Sequence, residues 1–114
     1  MPASSVVYIA SDGGVQTTSA LATGVSVVDA FLVVDGAIVA NGGYQRSVAA
    51  NTGGITNTIA PWSMSQVLTL SAGSHTISVR TTGVNAAGAV DATVSGNNAS
   101  VNQGTISAIV LRTL

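Results

Sequence analysis

Side chains that could perform acid–base or metal chemistry are scarce in this sequence of 114 residues. Glutamate and cysteine are absent, and the candidates are the single histidine and the four aspartates: His75, Asp12, Asp29, Asp35 and Asp91. His75 could serve as a general base, but no nucleophile or carboxylate stands at a spacing typical of a catalytic motif. We therefore predict a structural role for His75, no enzymatic activity and no cofactor.

The four aspartates fall into two pairs. Asp12 and Asp35 each precede a glycine, which predicts turns rather than catalysis. Asp29 and Asp91 stand inside apolar, strand-like runs, where a carboxylate needs a partner. We expect that partner to be an arginine, within the chain or across a subunit interface, and calcium ligation is the alternative. The two natural arginine partners are Arg80 and Arg112.

The charge content excludes several classes of partner. Charged residues make up 6% of the chain, against roughly 25% in an average soluble domain. Three arginines without lysine cannot form the basic cluster that phosphate binding needs, which predicts no nucleic-acid partner. No apolar run approaches the roughly 20 residues of a membrane helix, so no membrane partner is expected. Residues 1–5 lack the features of a secretory signal, which favours synthesis in the cytoplasm; we interpret the glycosylation consensus Asn98-Ala99-Ser100 as chance.

The elements that must position these residues are predicted to be strands. Glutamate and lysine are absent, valine, isoleucine and threonine are abundant, and the 13 glycines fall mostly in turn-like clusters. We expect the first strand to end at Asp12-Gly13-Gly14, residues 15–24 to form a short strand or a covering arm, and Pro61 to delay the strand that follows it. The pattern predicts about eight strands: Val6–Ala10, Val25–Val34, Ala37–Ala40, Tyr44–Val48, Ser65–Leu70, His75–Thr81, Ala89–Val94 and Gly104–Leu114.

Two of these strands are apolar on both faces. In the C-terminal strand, Ile106, Ala108 and Val110 point one way, whereas Ile109 and Leu111 point the other. The strand at 25–34 shows the same property and ends at Asp35-Gly36, a two-residue hairpin signal. We predict that the C-terminal strand lies mid-sheet and that its second face is covered by another layer or subunit.

A resemblance adds to this interpretation. Three features follow one another along the chain: a two-faced strand with its Asp35-Gly36 turn, the segment Val67-Leu68-Thr69-Leu70-Ser71-Ala72-Gly73-Ser74-His75-Thr76-Ile77-Ser78-Val79-Arg80, and the closing Gly104–Leu111. Their order resembles the C1q/TNF-like trimeric jelly roll, particularly its versions in bacteriophage virion proteins. The resemblance covers residues 25–114. It implies an antiparallel jelly-roll sandwich that assembles as a homotrimer with closed three-fold contacts.

The resulting hypothesis is a trimeric capsid decoration (cement) protein of a phage virion, made in the host bacterial cytoplasm. Residues 25–114 would form the jelly roll, and residues 1–24 an arm that grips the major capsid protein by adding a strand to its edge. The arm residues expected at the capsid contact are Val6, Tyr8 and Ile9. The residues expected at the trimer interface are the apolar members of the two long strands: Val27, Phe31, Val33, Ile106, Ala108, Ile109, Val110 and Leu111.

The alternative is the tip of a tail fibre or spike that binds a bacterial surface glycan. Its loops at 41–58 and 83–88 are rich in small polar residues suited to sugar hydroxyls. Tyr44 and Trp62 could provide a stacking platform, because Trp62 follows Pro61 in a segment expected to be a polar loop.

Overall fold

The computed structural model describes residues 1–85, 88–95 and 101–114, and this part of the chain is all-β, as predicted. It contains strands in two antiparallel sheets: β1 (Ser5–Thr17), β2 (Val25–Val34), β3 (Ala37–Ile38), β4 (Tyr44–Ala50), β5 (Ile59–Leu70), β6 (Ile77–Gly83), β7 (Ala92–Val94) and β8 (Thr105–Thr113). The glycosylation consensus at 98–100, interpreted above as chance, lies outside the described residues.

Each sheet is built around one long central strand. In sheet A, β1 pairs with β5 along one side and with β8 and β7 along the other. In sheet B, β2 pairs with β4 and β3 along one side and with β6 along the other. All of these pairings are antiparallel. The sheets pack face to face as a sandwich.

The core lies between the two sheets and follows the alternation of the two central strands. Val7, Ile9 and Val15 of β1 point inward, as do Ala30 and Leu32 of β2, and all five are buried. Near the strand ends, the core contains polar side chains in place of apolar ones, and these polar side chains are hydrogen bonded. Ser26 Oγ, for example, donates to the Asp91 carbonyl oxygen over 2.9 Å. No buried side-chain polar atom in the described part of the chain lacks a partner.

The predicted β2–β3 hairpin is confirmed. Asp35 and Gly36 have φ values of 50° and 83°, the left-handed pair that a two-residue type I′ turn requires. The returning strand is shorter than predicted, since β3 spans two residues and the chain then turns away. Asp35 therefore has the turn role expected of it.

Asp12-Gly13-Gly14 does not form the predicted turn. Strand β1 continues through these residues to Thr17, and neither glycine has a positive φ. A side chain at Gly13 would overlap the Trp62 ring, and one at Gly14 would lie 2.5 Å from Asn102 Oδ1. The two glycines are required by close packing within a strand, not by a turn.

Pro61 does not delay a strand either, because β5 runs through it from Ile59 to Leu70. Its partner across the ladder is Gly14, which directs its main-chain groups toward β7: Ser95 N donates to Gly14 O over 3.0 Å. Gly14 and Pro61 therefore form a non-hydrogen-bonded pair, and the nitrogen of Pro61 faces the edge of the sheet. An edge strand tolerates proline at such a position.

The two long sides of the sandwich differ. On one side β4 of sheet B lies against β5 of sheet A, joined for example by the hydrogen bond from Ser47 Oγ to Pro61 O at 3.3 Å. On the other side, the edge strands β6 and β8 leave a gap of about 410 Å³ between the sheets. We refer to the first as the closed side and to the second as the open side.

Candidate functional site

The C-terminal strand is the most apolar element that the structure leaves uncovered. Strand β8 pairs with β1 alone, so it is an edge strand, and the prediction that it lies mid-sheet is wrong for the single chain. All nine of its residues are exposed. The large apolar side chains have exposures of 47% at Ile106, 54% at Ile109 and Val110, and 55% at Leu111.

The two faces of β8 look in different directions, as predicted. Ile106, Ala108 and Val110 lie opposite the inward residues Ser11, Ile9 and Val7 of β1, so they are on the inward face of β8, and Ile106 borders the gap on the open side. Their half-exposed side chains thus belong to an incompletely covered core.

A β-bulge modifies the far end of β8. Val6 pairs with Arg112 and Val7 with Val110, which leaves Leu111 as the extra residue. The bulge turns Arg112 to the outer face of sheet A, beside Val6.

The outer face of sheet A carries an apolar row across three strands. Tyr8 pairs with Val67 of β5 on one side and with Ile109 of β8 on the other, and Val6 lies two residues away on the same face. Val67 and Ile109 are exposed, and Tyr8 and Val6 are half-buried. We call these four residues the sheet A patch. Sequence reasoning placed Ile109 in an interface but missed Val67, whose alternation with inward Leu68 was the available signal.

The predicted interface residues of β2 lie on the opposite side of the molecule. Val27, Phe31 and Val33 occupy the outer face of sheet B, since the inward positions of β2 are the even-numbered ones. Val33 is already buried within the chain, and Val27 and Phe31 are half-buried. A single flat interface cannot include both this group and the sheet A patch.

Asp29 lies on the outer face of sheet B and has a partner other than the predicted ones. Its carboxylate accepts a bidentate pair from Arg46, with 2.7 Å to Nε and 3.0 Å to Nη2, and a third hydrogen bond from the Tyr44 hydroxyl at 2.5 Å. The ladder explains this choice, because Asp29 stands directly opposite Arg46 of β4. Arg80 instead lies opposite Phe31, and Arg112 is in the other sheet.

The contacts among Asp29, Arg46 and Tyr44 favour the ionised carboxylate and the protonated forms of the other two side chains. The guanidinium of Arg46 holds the pKa of the buried Asp29 below its ordinary value, although burial opposes the shift. The hydrogen bond to Asp29 raises the pKa of Tyr44, and that of Arg46 is also raised. Phe31 packs edge-on against the Tyr44 ring with centroids 4.8 Å apart. The arrangement stabilises the β2–β4 pair and leaves no reactive group free.

Asp91 does not lie within a strand, because β7 is limited to Ala92–Val94. Its side chain is exposed and belongs to neither ion pair found among the described residues. The main-chain carbonyl oxygen of Asp91, rather than its carboxylate, stabilises the structure: it accepts hydrogen bonds from Ser26 Oγ and Thr18 Oγ1 at 2.9 and 2.8 Å.

His75 joins two turns at one end of the sandwich. Its Nδ1 lies 2.7 Å from Asp35 Oδ2 and its Nε2 lies 2.8 Å from the Ser71 carbonyl oxygen. Both partners are acceptors, so the ring satisfies both of them as an imidazolium. Asp35 and the Ser71 carbonyl raise the pKa of His75, and His75 followed by the Thr76 N–H lowers the pKa of Asp35. This geometry agrees with the structural role predicted for His75.

Trp62 is buried rather than exposed. Its side chain is 4% exposed, packs over Gly13, and donates its indole N–H to Ser11 Oγ over 3.3 Å. Tyr44 is exposed on the opposite sheet, with its hydroxyl engaged by Asp29. The two aromatic rings do not form a common surface, which removes the stacking platform of the glycan-binding alternative.

Residues 1–24 are not separated from the rest of the chain. Over Ser5–Asp12, β1 is paired with β5 along one edge and with β8 along the other. Ile9 is fully buried between the sheets. Strand addition to a capsid protein through Val6–Ala10 is therefore excluded in this fold, because neither edge of the segment is open.

Residues 18–24 instead form a loop that a buried asparagine holds in place. Asn51 Nδ2 donates to the carbonyl oxygens of Ser19 and Leu21 at 2.8 and 2.9 Å, and its Oδ1 accepts from Thr58 N at 3.2 Å. This side chain links the loop at 18–24 to the loop at 52–57. Leu21 and Ile55, one on each loop, are 69% and 63% exposed. Sequence reasoning did not identify Asn51.

Across residues 1–85, 88–95 and 101–114, no three histidine, cysteine, aspartate or glutamate side chains converge as metal ligands would. The same residues include no helix with the length and apolar character needed to cross a membrane.

Comparison with known proteins adds no relative: no protein-family model, curated protein or solved structure matches this chain.

Proposed function

We propose that this chain is a structural subunit that acts by assembling with copies of itself, as a trimeric jelly-roll decoration protein of a bacteriophage virion. The observation that carries the proposal is the exposure of β8, whose apolar side chains are uncovered on both faces. Exposed apolar area of this kind is favourable to bury, at roughly 25 cal/mol per Å². The three-fold symmetry and the virion setting come from the resemblance of residues 25–114.

The sheet A patch is the surface that suits the three-fold contact. It combines Tyr8, Val67 and Ile109 in one row across the sheet, without a charge within the row. The corresponding row on sheet B contains the Asp29–Arg46 ion pair, which is already satisfied within the chain. Three copies that meet through the sheet A patch would surround an apolar axis and keep the charged outer faces in solvent.

Contact with the capsid is assigned to the loops at 18–24 and 52–57. They lie at one end of the sandwich, are linked by Asn51, and carry the exposed Leu21 and Ile55. A trimer would present three such loop pairs together. Weak contacts by each pair would then act jointly, so a trimer could hold capsid subunits without any single tight site.

Light scattering on the eluting protein tests the self-contact. We expect the mass of a trimer, or a multiple of it, and expect Ile109→Asn to reduce assembly by removing an apolar member of the sheet A patch. Val48→Asn is the matched control, since Val48 is equally exposed but lies on the outer face of sheet B. A wild-type chain that remains a monomer at micromolar concentration would disprove the proposal.

Electron microscopy tests the virion setting. Phage heads that carry the protein should show three-fold density on the capsid surface, absent from heads that lack it. Replacing Leu21 and Ile55 by aspartate should abolish binding to heads and leave the trimer intact. Undiminished binding by that double variant would contradict the assignment of the loops.

A further inference from the structure

The open edge of β8 presents unpaired main-chain groups. Ser4, just before β1, accepts a hydrogen bond at its carbonyl oxygen from Leu114 N at 2.8 Å, and Gly14 O within β1 accepts from Ser95 N at 3.0 Å. The main-chain N–H and C=O groups of the even-numbered residues of β1 therefore point toward β8 and β7. Main-chain groups alternate in direction along a strand, and the β8 residues between the paired ones must point away from β1. Those residues are Ile106, Ala108 and Val110, and no strand of the described chain lies on their far side.

The open edge of β6 has the same property. Val84 N donates to Val27 O and Asp35 N donates to Thr76 O, both at 2.9 Å, so odd-numbered residues of β2 point toward β6. The β6 residues that face away from β2 are Ile77, Val79 and Thr81. Both sheets therefore end, on the same side of the sandwich, in an edge that could accept another strand.

The gap between these two edges has the character of a core. It measures about 410 Å³ and is bordered by Trp62, Ile77, Val79 and Ile106, with Asp12 as the ionisable residue at its rim. Ile77, Val79, Thr81 and Ile106 combine outward main-chain groups with side chains that border this gap. Whatever closes the open side must therefore supply hydrogen-bonding strand edges and apolar inward side chains together.

We propose that a second copy of this chain closes the open side, with β8 pairing to β8 and β6 to β6 about a two-fold axis normal to the sheets. Since both edges open to the same side, one rotation pairs both of them. Each four-stranded sheet then becomes half of a continuous eight-stranded sheet.

Strand β8 is complementary to itself in this arrangement. An antiparallel register centred on Ala108 places Ile106 of each copy opposite Val110 of the other. A large residue meets a large one on either side of two alanines, and all of them face the shared core. No like charges are brought together within this register, because residues 105–111 are uncharged.

The same register brings opposite charges together on the outer face. Arg112 of one copy falls near Gly104 of the other, one strand away from Asp12, which pairs with Thr105. Both Arg112 and Asp12 are exposed, and neither takes part in the ion pairs found among the described residues. The two-fold axis repeats the Arg112–Asp12 approach, so the contact contains two such pairs.

The exposed surface of the chain is larger than expected for a compact monomer of its mass. The chain exposes 6410 Å². A compact monomer of 11.2 kDa is expected to expose about 5,700 Å², so the excess is about 700 Å². A standard interface buries about 800 Å² on each partner.

This contact is distinct from the three-fold contact of the proposed function, which uses the outer face of sheet A rather than its edge. The two can be tested separately. Variants at Ala108 change the edge, whereas Ile109→Asn changes the outer face.

Cross-linking of single-cysteine variants is the direct experiment, because the natural chain has no cysteine. Ala108→Cys, treated with a mild oxidant, should form disulfide-linked dimers rapidly, since the paired Cα atoms would be about 5.5 Å apart, within the range that a disulfide spans. Thr69→Cys, exposed on β5 at the opposite edge of sheet A, is the control. Cross-linking of Ala108→Cys no faster than that of Thr69→Cys would overturn the proposal.

Ala108→Pro provides an independent readout. It removes the outward N–H and leaves the bonds from β8 to β1, which an edge strand tolerates. We expect the mass from light scattering to fall by a factor of two. If the proline variant does not fold, Ala108→Lys serves instead: it places an inward charge at the edge and should also halve the mass. An unchanged mass in a folded variant would refute edge pairing, whatever the result for Ile109→Asn.

Discussion

The closed and open sides of the sandwich are both bordered by alternating strands, but only the closed side is covered within the chain. On the closed side, cross-sheet hydrogen bonds join β4 to β5: Ser47 Oγ donates to Pro61 O at 3.3 Å, and Ser63 N donates to Gln45 Oε1 at 2.9 Å. Trp62 and Met64 of β5 are buried behind these contacts. The edge of sheet A is thereby covered by the same chain.

On the open side, strands with the same alternation remain half covered. Ile77 and Val79 of β6 are only partly buried, and Ile106 and Val110 of β8 are exposed. The difference is not one of hydrophobicity but of what lies across the gap. A strand pattern therefore indicates which side chains should be buried, and the structure shows which of them the chain itself leaves uncovered.

The largest expected effect is a contrast between truncations on the two sides. Met64→Ala on the closed side should cost about 2–5 kcal/mol of unfolding free energy, since it leaves a cavity in a packed core. Ile106→Ala should cost less than about 1 kcal/mol in dilute protein, where its side chain is half exposed. Urea denaturation followed by Trp62 fluorescence measures both. Equal losses in dilute monomer would mean that the open side is already closed.

The next effect compares two glycines. Gly13→Ala should lower stability by about 1–3 kcal/mol, because the added methyl group overlaps the Trp62 ring. Gly83→Ala, at the end of β6 on the open side, meets no atom within 4 Å and lacks a positive φ, so it should be neutral or stabilising by up to about 1 kcal/mol. The same denaturation measurement applies. A loss at Gly83 as large as that at Gly13 would contradict the contrast.

These residues also show which parts of the fold are readable from sequence. The Asp35-Gly36 hairpin depends on neighbouring residues, and it was predicted correctly. The function of Gly13 depends on Trp62, which is 49 positions away in sequence, and nothing local distinguishes it from a turn glycine. Strand β1, which was predicted to end at Asp12-Gly13-Gly14, continues through Gly13 in the structure.

In the candidate site, too, the local features were predicted from sequence and the long-range pairings were not. The two apolar faces of β8 were predicted from alternation alone. Its place at an edge was not, because pairing order is set by long-range register. Asp29 was known to need a partner, yet the choice of Arg46 over Arg80 follows only once β4 and β6 are placed on opposite sides of β2.

A third prediction contrasts the two outer faces. Asp29 has a lowered pKa in the folded protein, so its contribution to stability is complete above the ordinary aspartate value of about 3.9 and is lost as pH falls through the folded value. Wild-type stability should decline in acid, and Asp29→Asn should be less stable near neutral pH with a flatter acid decline. Substitutions in the sheet A patch, which has no carboxylate, should leave that slope unchanged. Thermal unfolding between pH 2 and 7 measures it, and identical slopes for wild type and Asp29→Asn would reject the assignment.

The smallest effect concerns the connection that carries the chain from the closed side to the open side. The β5–β6 turn is attached to the β2–β3 turn through His75, whose side chain is 12% exposed, and Asp35, whose side chain is 49% exposed. Because the pKa of His75 is raised on folding, its contribution is complete below about pH 6.5 and is lost as pH rises through the folded value. The lowered pKa of Asp35 sets the other limit, so the contribution is present above about pH 3.9 and lost in stronger acid.

His75→Asn should therefore be less stable than wild type between about pH 4 and 6.5, and the difference should shrink at higher pH. The loosened turn lies next to β6, whose outer edge is open, whereas β5 remains held by β1 and β4. At a fixed pH within this window, hydrogen exchange should accelerate at β6 amides in the variant and stay unchanged at β5. Exchange that accelerates equally in both strands, or a stability difference that stays constant from pH 5 to 9, would show that His75 does not act as an ionised link to the open side.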